Sequence, residues 1–127
     1  MIFELKKILS VKKIYYLSTC DTCKRILKEI SPSSDFILQD IKTNPVSNEQ
    51  LNEMKNLAGT FENLFSKRAR LYKERDLKNK NLSDEDYRDL ILEHYTFLKR
   101  PVIQYNDQIF IGNSKKVIET AKEIING

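Results

Sequence analysis

The chain has 127 residues, material for one ordinary domain, and 40% apolar with 31% charged residues is enough for a core and excludes intrinsic disorder. Three glycines and three prolines exclude collagen-like and linker-rich architectures, and no run approaches the roughly eighteen uninterrupted apolar residues of a membrane span. Twenty-two Lys and Arg against eighteen Asp and Glu leave +4, a mild excess that permits an anionic partner without requiring one.

Residues 1–10 (MIFELKKILS) read as a short amphipathic lead-in; Glu4, Lys6 and Lys7 interrupt the apolar residues, so no secretory signal is expected. Ile14-Tyr15-Tyr16-Leu17 is β-branched and aromatic and stops at Ser18-Thr19, the pattern of a buried strand. Helical spacing follows, with Ile26, Leu27 and Ile30 on one face, and Ser31-Pro32-Ser33-Ser34 ends it. Phe36-Ile37-Leu38 is a second strand, and residues 40–45 are its exit loop.

From residue 47 to about 95 the period stays helical. Ser47-Asn48-Glu49-Gln50 is a capping box, and Leu51, Met54 and Leu57 follow at helical spacing up to Gly59. Phe61, Leu64 and Phe65 form another short apolar face. Lys67-Arg68-Ala69-Arg70-Leu71-Tyr72-Lys73 is the one dense basic cluster; with a single interleaved aromatic it reads as a solvated helix face. Ser83-Asp84-Glu85-Asp86 starts a further helix with Tyr87, Leu90, Ile91 and His94 along one side, where His94 is expected as a satisfied, partly buried side chain without a catalytic role.

After Pro101 the period returns to that of sheet. Val102-Ile103-Gln104-Tyr105 and Gln108-Ile109-Phe110-Ile111 flank Asn106-Asp107 as a two-residue hairpin. Gly112-Asn113-Ser114 leads into a last helix with Val117, Ile118, Ala121, Ile124 and Ile125 as its apolar stripe. The order of elements predicts an α/β fold: a small mixed sheet made of a parallel βαβ unit and an antiparallel pair, with an all-helical insertion.

Cys20-Asp21-Thr22-Cys23 lies where the first strand hands over to the first helix. Unpaired amides and the helix dipole favour an anion there, so Cys20 is expected to be partly thiolate near neutral pH and nucleophilic. Cys23, one turn further in, is suited to resolving a mixed disulfide on Cys20. A zinc site would need two further ligands from a chain with one histidine and no third cysteine, so no metal is expected. Two inert buried cysteines are the plainer alternative; the strand-to-helix position speaks against it. So close a pair constrains an unfolded chain little, which points to the reducing cytoplasm and away from a secreted disulfide scaffold. In Arg100-Pro101, the proline opens a strand without a donor to give, and Arg100 would steady a Cys20 thiolate or a bound oxyanion if the two segments meet; a surface salt bridge is its alternative. Lys24 is a further cation candidate, with a solvated lysine as the plainer account.

The succession of a strand, Cys20-Asp21-Thr22-Cys23-Lys24-Arg25, a helical insertion, Leu98-Lys99-Arg100-Pro101-Val102, and Ile111-Gly112 before the final helix resembles the arsenate reductase and Spx family from about Lys12 to the C-terminus. The resemblance implies a thioredoxin-like fold forming a single domain over residues 1–127, with the helical insertion at about 46–98. It makes Cys20 the nucleophile and Arg100 the arginine before the family's cis-proline, Pro101. Arsenate reductases proper use two further arginines on the oxyanion. Ser66 followed by Lys67 stands where the first would fall, and no arginine stands near Gly112, where the second is expected. Cys20, Cys23 and Arg100 are thus the catalytic candidates, and Lys24, Arg100, Pro101, Ser66 and Lys67 the substrate-binding ones. The implied function is a cytoplasmic thiol-dependent oxidoreductase acting on a small oxyanion or disulfide. It would carry no cofactor of its own and draw on an external thiol reductant such as glutathione with glutaredoxin, or thioredoxin. The second cysteine is typical of Spx-like members, so the alternative is a redox-sensing regulator that binds the C-terminal domain of the RNA polymerase α subunit. The family likeness also implies a monomer.

Overall fold

Residues 11–127 are described by a computed structural model; the lead-in expected at residues 1–10 lies outside the described residues. The chain divides into two compact units, one formed by the described residues up to Asn44 together with Arg100–Gly127, the other by Pro45–Lys99.

The first unit is built on four strands, β1 (Lys12–Tyr16), β2 (Ile37–Asp40), β3 (Val102–Tyr105) and β4 (Gln108–Ile111), in the order β2-β1-β3-β4. β1 and β2 are parallel with Tyr16 opposite Asp40, whereas β1 and β3 are antiparallel with Tyr15 opposite Val102. β3 and β4 form the expected hairpin, closed by Asn106 at φ 58°. Side chains alternate between the two faces. On one face Ile14 and its cross-strand partner Ile103 are fully buried against Ile26, Ile30, Phe36, Ile118 and Ala121.

Those partners come from two helices, α1 (Asp21–Ile30) and, at the far end of the chain, the helix Lys115–Asn126. The spacing of Cys23, Ile26 and Ile30 puts all three on the buried side of α1, and Ser31, in the left-handed region at φ 51°, ends it by donating its amide to the Leu27 carbonyl. Asn126 Nδ2 donates to the Ile30 carbonyl at 3.0 Å and ties the two helices together.

Two expectations shift here. The second strand runs one residue later than its apolar triplet: Phe36 is buried ahead of it, Gln39 is the inward residue, and Ile37 and Leu38 are 64% and 48% exposed. β2 is a sheet edge, where apolarity does not guarantee cover. In the last helix Ile118 and Ala121 are buried, whereas Ile124 is 38% exposed.

The second unit contains α2 (Asn48–Ala58), α3 (Arg70–Glu74) and α4 (Asp84–Glu93), with 3-10 turns at Glu62–Leu64, Leu77–Asn79 and Tyr95–Phe97. Ser47 with Gln50 and Ser83 with Asp86 form full capping boxes, so both helices begin where the sequence places them. The Lys115–Asn126 helix of the first unit is α5. An aromatic cluster centred on Phe65 fills the helical unit: Phe97 stacks on it at 5.1 Å between ring centroids, and Tyr87 and Tyr72 lie at 4.8 and 5.8 Å. The end of the unit is tied to its middle through an antiparallel Phe65–Leu98 bridge, with the Ser66 amide donating to the Phe97 carbonyl at 2.7 Å and the Lys99 amide to the Leu64 carbonyl at 2.8 Å. The basic cluster is solvated, with Arg70 paired to Glu74 along α3.

His94 does not extend the face of α4. The helix ends at Glu93, and His94 is extended, with Nδ1 accepting the Thr96 amide at 3.2 Å and lying 2.7 Å from the Thr96 hydroxyl. The imidazole thereby caps the following turn, an end signal invisible to helical periodicity. Phe97, fully buried, sits in that turn. Replacing it by alanine should destabilise the protein by roughly 3–5 kcal/mol in urea-induced unfolding, the usual cost of emptying an aromatic core site.

Candidate active site

β1 delivers the chain to a turn over residues 17–20, closed by the Cys20 amide donating to the Leu17 carbonyl at 3.0 Å. Cys20 then occupies the N-cap of α1 with extended backbone angles, φ −99° and ψ 113°. The first-turn amides of α1 have no helical carbonyl to bond, which leaves partial positive charge at this end of the helix. Cys20 is half-buried and Cys23 fully buried; both are free thiols.

Arg100 reaches this turn through sheet register. With Tyr15 opposite Val102 in the antiparallel β1–β3 pair, each step past the end of β1 meets a step back before β3, so Pro101 and then Arg100 come level with residues 16 and 17. The Arg100–Pro101 bond is cis, Pro101 is buried, and its carbonyl accepts the Gly112 amide at 2.9 Å. Gly112 has φ 87°, a region costly to any residue with a side chain, so arginine is disfavoured at this position by the backbone itself.

The thiols differ because their surroundings differ. Burial alone pushes the Cys20 thiol up, but it is outweighed by hydrogen bonding from the Cys23 amide, the Cys23 thiol and the Arg100 guanidinium, together with the guanidinium's charge. Cys20 is therefore held below its ordinary value. Burial likewise pushes Cys23 up, to about 11; the Leu17 amide offsets part of this, and an anionic Cys20 beside it adds to the rise. One sulfur is set up to lose its proton and its neighbour to keep one.

Of the sequence candidates, Cys20, Cys23 and Arg100 thus come together, with Pro101 adjoining Arg100. Lys24 is exposed, one turn into α1. Ser66 and Lys67 belong to the helical unit: the Ser66 amide is used in closing it, and Lys67 Nζ bonds Glu62 at 2.9 Å and lies 5.9 Å from the Tyr87 ring centroid. The Glu62 hydrogen bond, foremost, raises the Lys67 ammonium above its ordinary value.

Asp40, expected in an exit loop, is a strand residue instead. Asp40 ends β2 opposite Tyr16 and accepts the Ser18 hydroxyl at 2.5 Å, the Ser18 amide at 3.3 Å and the Lys42 amide at 3.2 Å. The Ser18 hydroxyl, foremost, holds its carboxyl below the usual range. The signal that finds it is the parallel register of β1 and β2, which does not show in either strand read alone.

A model of the ArsC family matches residues 15–121. No curated protein sequence matches the chain. Among solved structures, a YFFB protein superposes with a TM-score of 0.71 at 18% identity, over 87% of this chain and 98% of its own. An arsenate reductase from Vibrio cholerae gives 0.67 at 23% identity, over 90% and 98%. SACOL0876 from Staphylococcus aureus gives 0.68 at 27% identity, over 87% and 97%. These similarities show a thioredoxin-like α/β fold.

The rate of iodoacetamide alkylation at Cys20, followed by mass spectrometry against pH, should show a midpoint below that of free cysteine, about 8.5. Arg100→Ala should move that midpoint upward. A wild-type midpoint at or above the free-cysteine value would leave the arrangement without a thiolate.

Proposed function

The chain belongs to the ArsC family, and from that premise we propose that it is a thiol-dependent oxidoreductase that reduces a small oxyanion of the arsenate type. The observation that carries this reading is the Cys20 thiol at the start of α1, its pKa lowered by the Cys23 donors and the Arg100 guanidinium. The same donors that favour a thiolate favour an approaching oxyanion, so nucleophile and electrophile are gathered at one place. A planar guanidinium facing an oxyanion adds orientation as well as charge.

The proposed reaction starts with the Cys20 thiolate attacking As(V). A sulfur–arsenic bond forms and an oxygen leaves as water after protonation. A second thiolate then attacks the Cys20 sulfur; a sulfur–sulfur bond forms, the sulfur–arsenic bond breaks, and arsenic leaves as As(III) with the electron pair. The two thiols together supply the two electrons. Cys23 is the nearer source of the second thiol, since it lies beside Cys20; burial is the larger obstacle to its ionisation, and the part due to the Cys20 charge is lifted once that charge is discharged into the adduct. An external thiol, glutathione with glutaredoxin or thioredoxin, restores the reduced pair, and the reducing cytoplasm is the compartment this chemistry needs. Lys24, exposed near the site, adds positive charge for an incoming anion, and Ser66 with Lys67 are proposed on family likeness as contributors to oxyanion binding.

A redox-sensing regulator of Spx type is the second reading. The observation favouring it is the Cys23 thiol directed at Cys20, an arrangement ready to form a disulfide without any substrate. In that case a monomeric chain would bind the C-terminal domain of the RNA polymerase α subunit, and its redox state would change the affinity.

Arsenate-dependent NADPH oxidation coupled through glutathione reductase and glutaredoxin separates the two. The enzyme reading expects turnover that Cys20→Ser abolishes and that Arg100→Ala lowers by about a hundredfold, as for loss of one donor to a developing anion. Absence of turnover with either glutaredoxin or thioredoxin, together with capture of the polymerase domain, would replace it with the regulator.

A further inference from the structure

We infer that Asp40, acting through Ser18, is a positioning residue for the Cys20 thiolate; the inference rests on Cys20 being the nucleophile proposed above. Cys20 does not belong to β1. It hangs from a turn over residues 17–20 whose internal backbone bond is the single Cys20 amide to Leu17 carbonyl contact at 3.0 Å. A turn held by one such bond has several conformations open to it, and only one sets the sulfur at the N-cap with the Cys23 amide and Arg100 in reach.

Asp40 removes that freedom from outside the turn. Both of its carboxylate oxygens are engaged by one residue, Oδ2 accepting the Ser18 hydroxyl at 2.5 Å and Oδ1 the Ser18 amide at 3.3 Å. A two-point grip fixes the orientation of the Ser18 peptide as well as its position, which a single bond would not do. The carboxylate is itself anchored. It ends β2, Oδ1 also accepts the Lys42 amide at 3.2 Å, and next to it the Ile41 amide donates to the Tyr16 carbonyl at 2.9 Å, extending the β1–β2 ladder to the edge of the turn.

Two consequences reach the sulfurs. On one side of Ser18 lies Leu17, whose amide is among the groups that lower the Cys23 thiol; on the other side Cys20 is delivered to the helix start. Ser18 is the link common to both. The contribution inferred for Asp40 is geometric: by fixing Ser18 it decides whether the donors of Cys23 and Arg100 are met. A carboxylate acting on the sulfur by charge would instead hinder ionisation, and its removal would lower the thiol's pKa. The two roles thus have opposite signs in experiment.

The test compares full-length wild type with Asp40→Ala, Asp40→Asn and Ser18→Ala, reading the pH dependence of Cys20 alkylation alongside the thermal unfolding midpoint. Asp40→Ala is expected to move the alkylation midpoint to higher pH and to slow alkylation at neutral pH by roughly three- to tenfold, the range set by one or two hydrogen bonds. Asp40→Asn, which keeps one acceptor, should recover part of the loss, and Ser18→Ala should shift the midpoint in the same direction by less. The double variant should be no slower than Asp40→Ala alone, because both lie on one path. A lowered unfolding midpoint with an unmoved alkylation midpoint would reduce Asp40 to a structural residue, and a downward shift would make it an electrostatic one; either overturns the inference. Should Asp40→Ala fail to fold, the Ser18→Ala shift decides. If wild-type Cys20 has an ordinary midpoint, the proposed nucleophile itself falls, an outcome distinct from the other two.

Discussion

One sulfur disposed to lose its proton sets the terms for the rest of the first unit. A thiolate half out of water survives only where donors surround it, and here they come from three directions: the first turn of α1, the neighbouring thiol of Cys23 and the guanidinium of Arg100. None of these is sufficient alone against the cost of burial. The sheet exists, from this point of view, to bring residue 100 alongside residue 20, and the antiparallel β1–β3 register does so with no contribution from sequence proximity.

The division of labour between the thiols follows from depth and from donors together. Burial raises both, more than its partners can offset for Cys23 in the core, whereas for half-buried Cys20 the Cys23 donors and the Arg100 guanidinium outweigh it. Two chemically identical side chains are thereby given opposite tendencies to ionise. The pairing is self-reinforcing while both are reduced, since each charge state favours the other. It dissolves once Cys20 is committed to an adduct, which is when a second thiolate is wanted.

Much of this was legible in the order of residues. The strand-to-helix junction at Cys20, both capping boxes and the hairpin around Asn106-Asp107 are local signals, and local signals survive in one dimension. Arg100 was accessible through the residue type expected before a strand-opening proline. Three features were not accessible, each for a physical reason. Phe36-Ile37-Leu38 reads as the second strand because the triplet is apolar, but the strand runs one residue later and Ile37 and Leu38 lie exposed on an edge. His94 reads as helix because its spacing from Ile91 fits, whereas its imidazole prefers to end α4 by taking the Thr96 amide. Asp40 reads as loop because a carboxylate after an apolar run usually is one; its partner Ser18 is 22 residues away and meets it only once two parallel strands are aligned.

The helical unit enters the chain between β2 and β3, so the ribosome has to make Pro45–Lys99 before it can supply Arg100. A nascent or denatured polypeptide therefore carries Cys20 without its guanidinium and without a helix behind it, as an ordinary thiol. The lowered pKa of that thiol is in this way a property of the assembled unit and is acquired only once the last strands are in place.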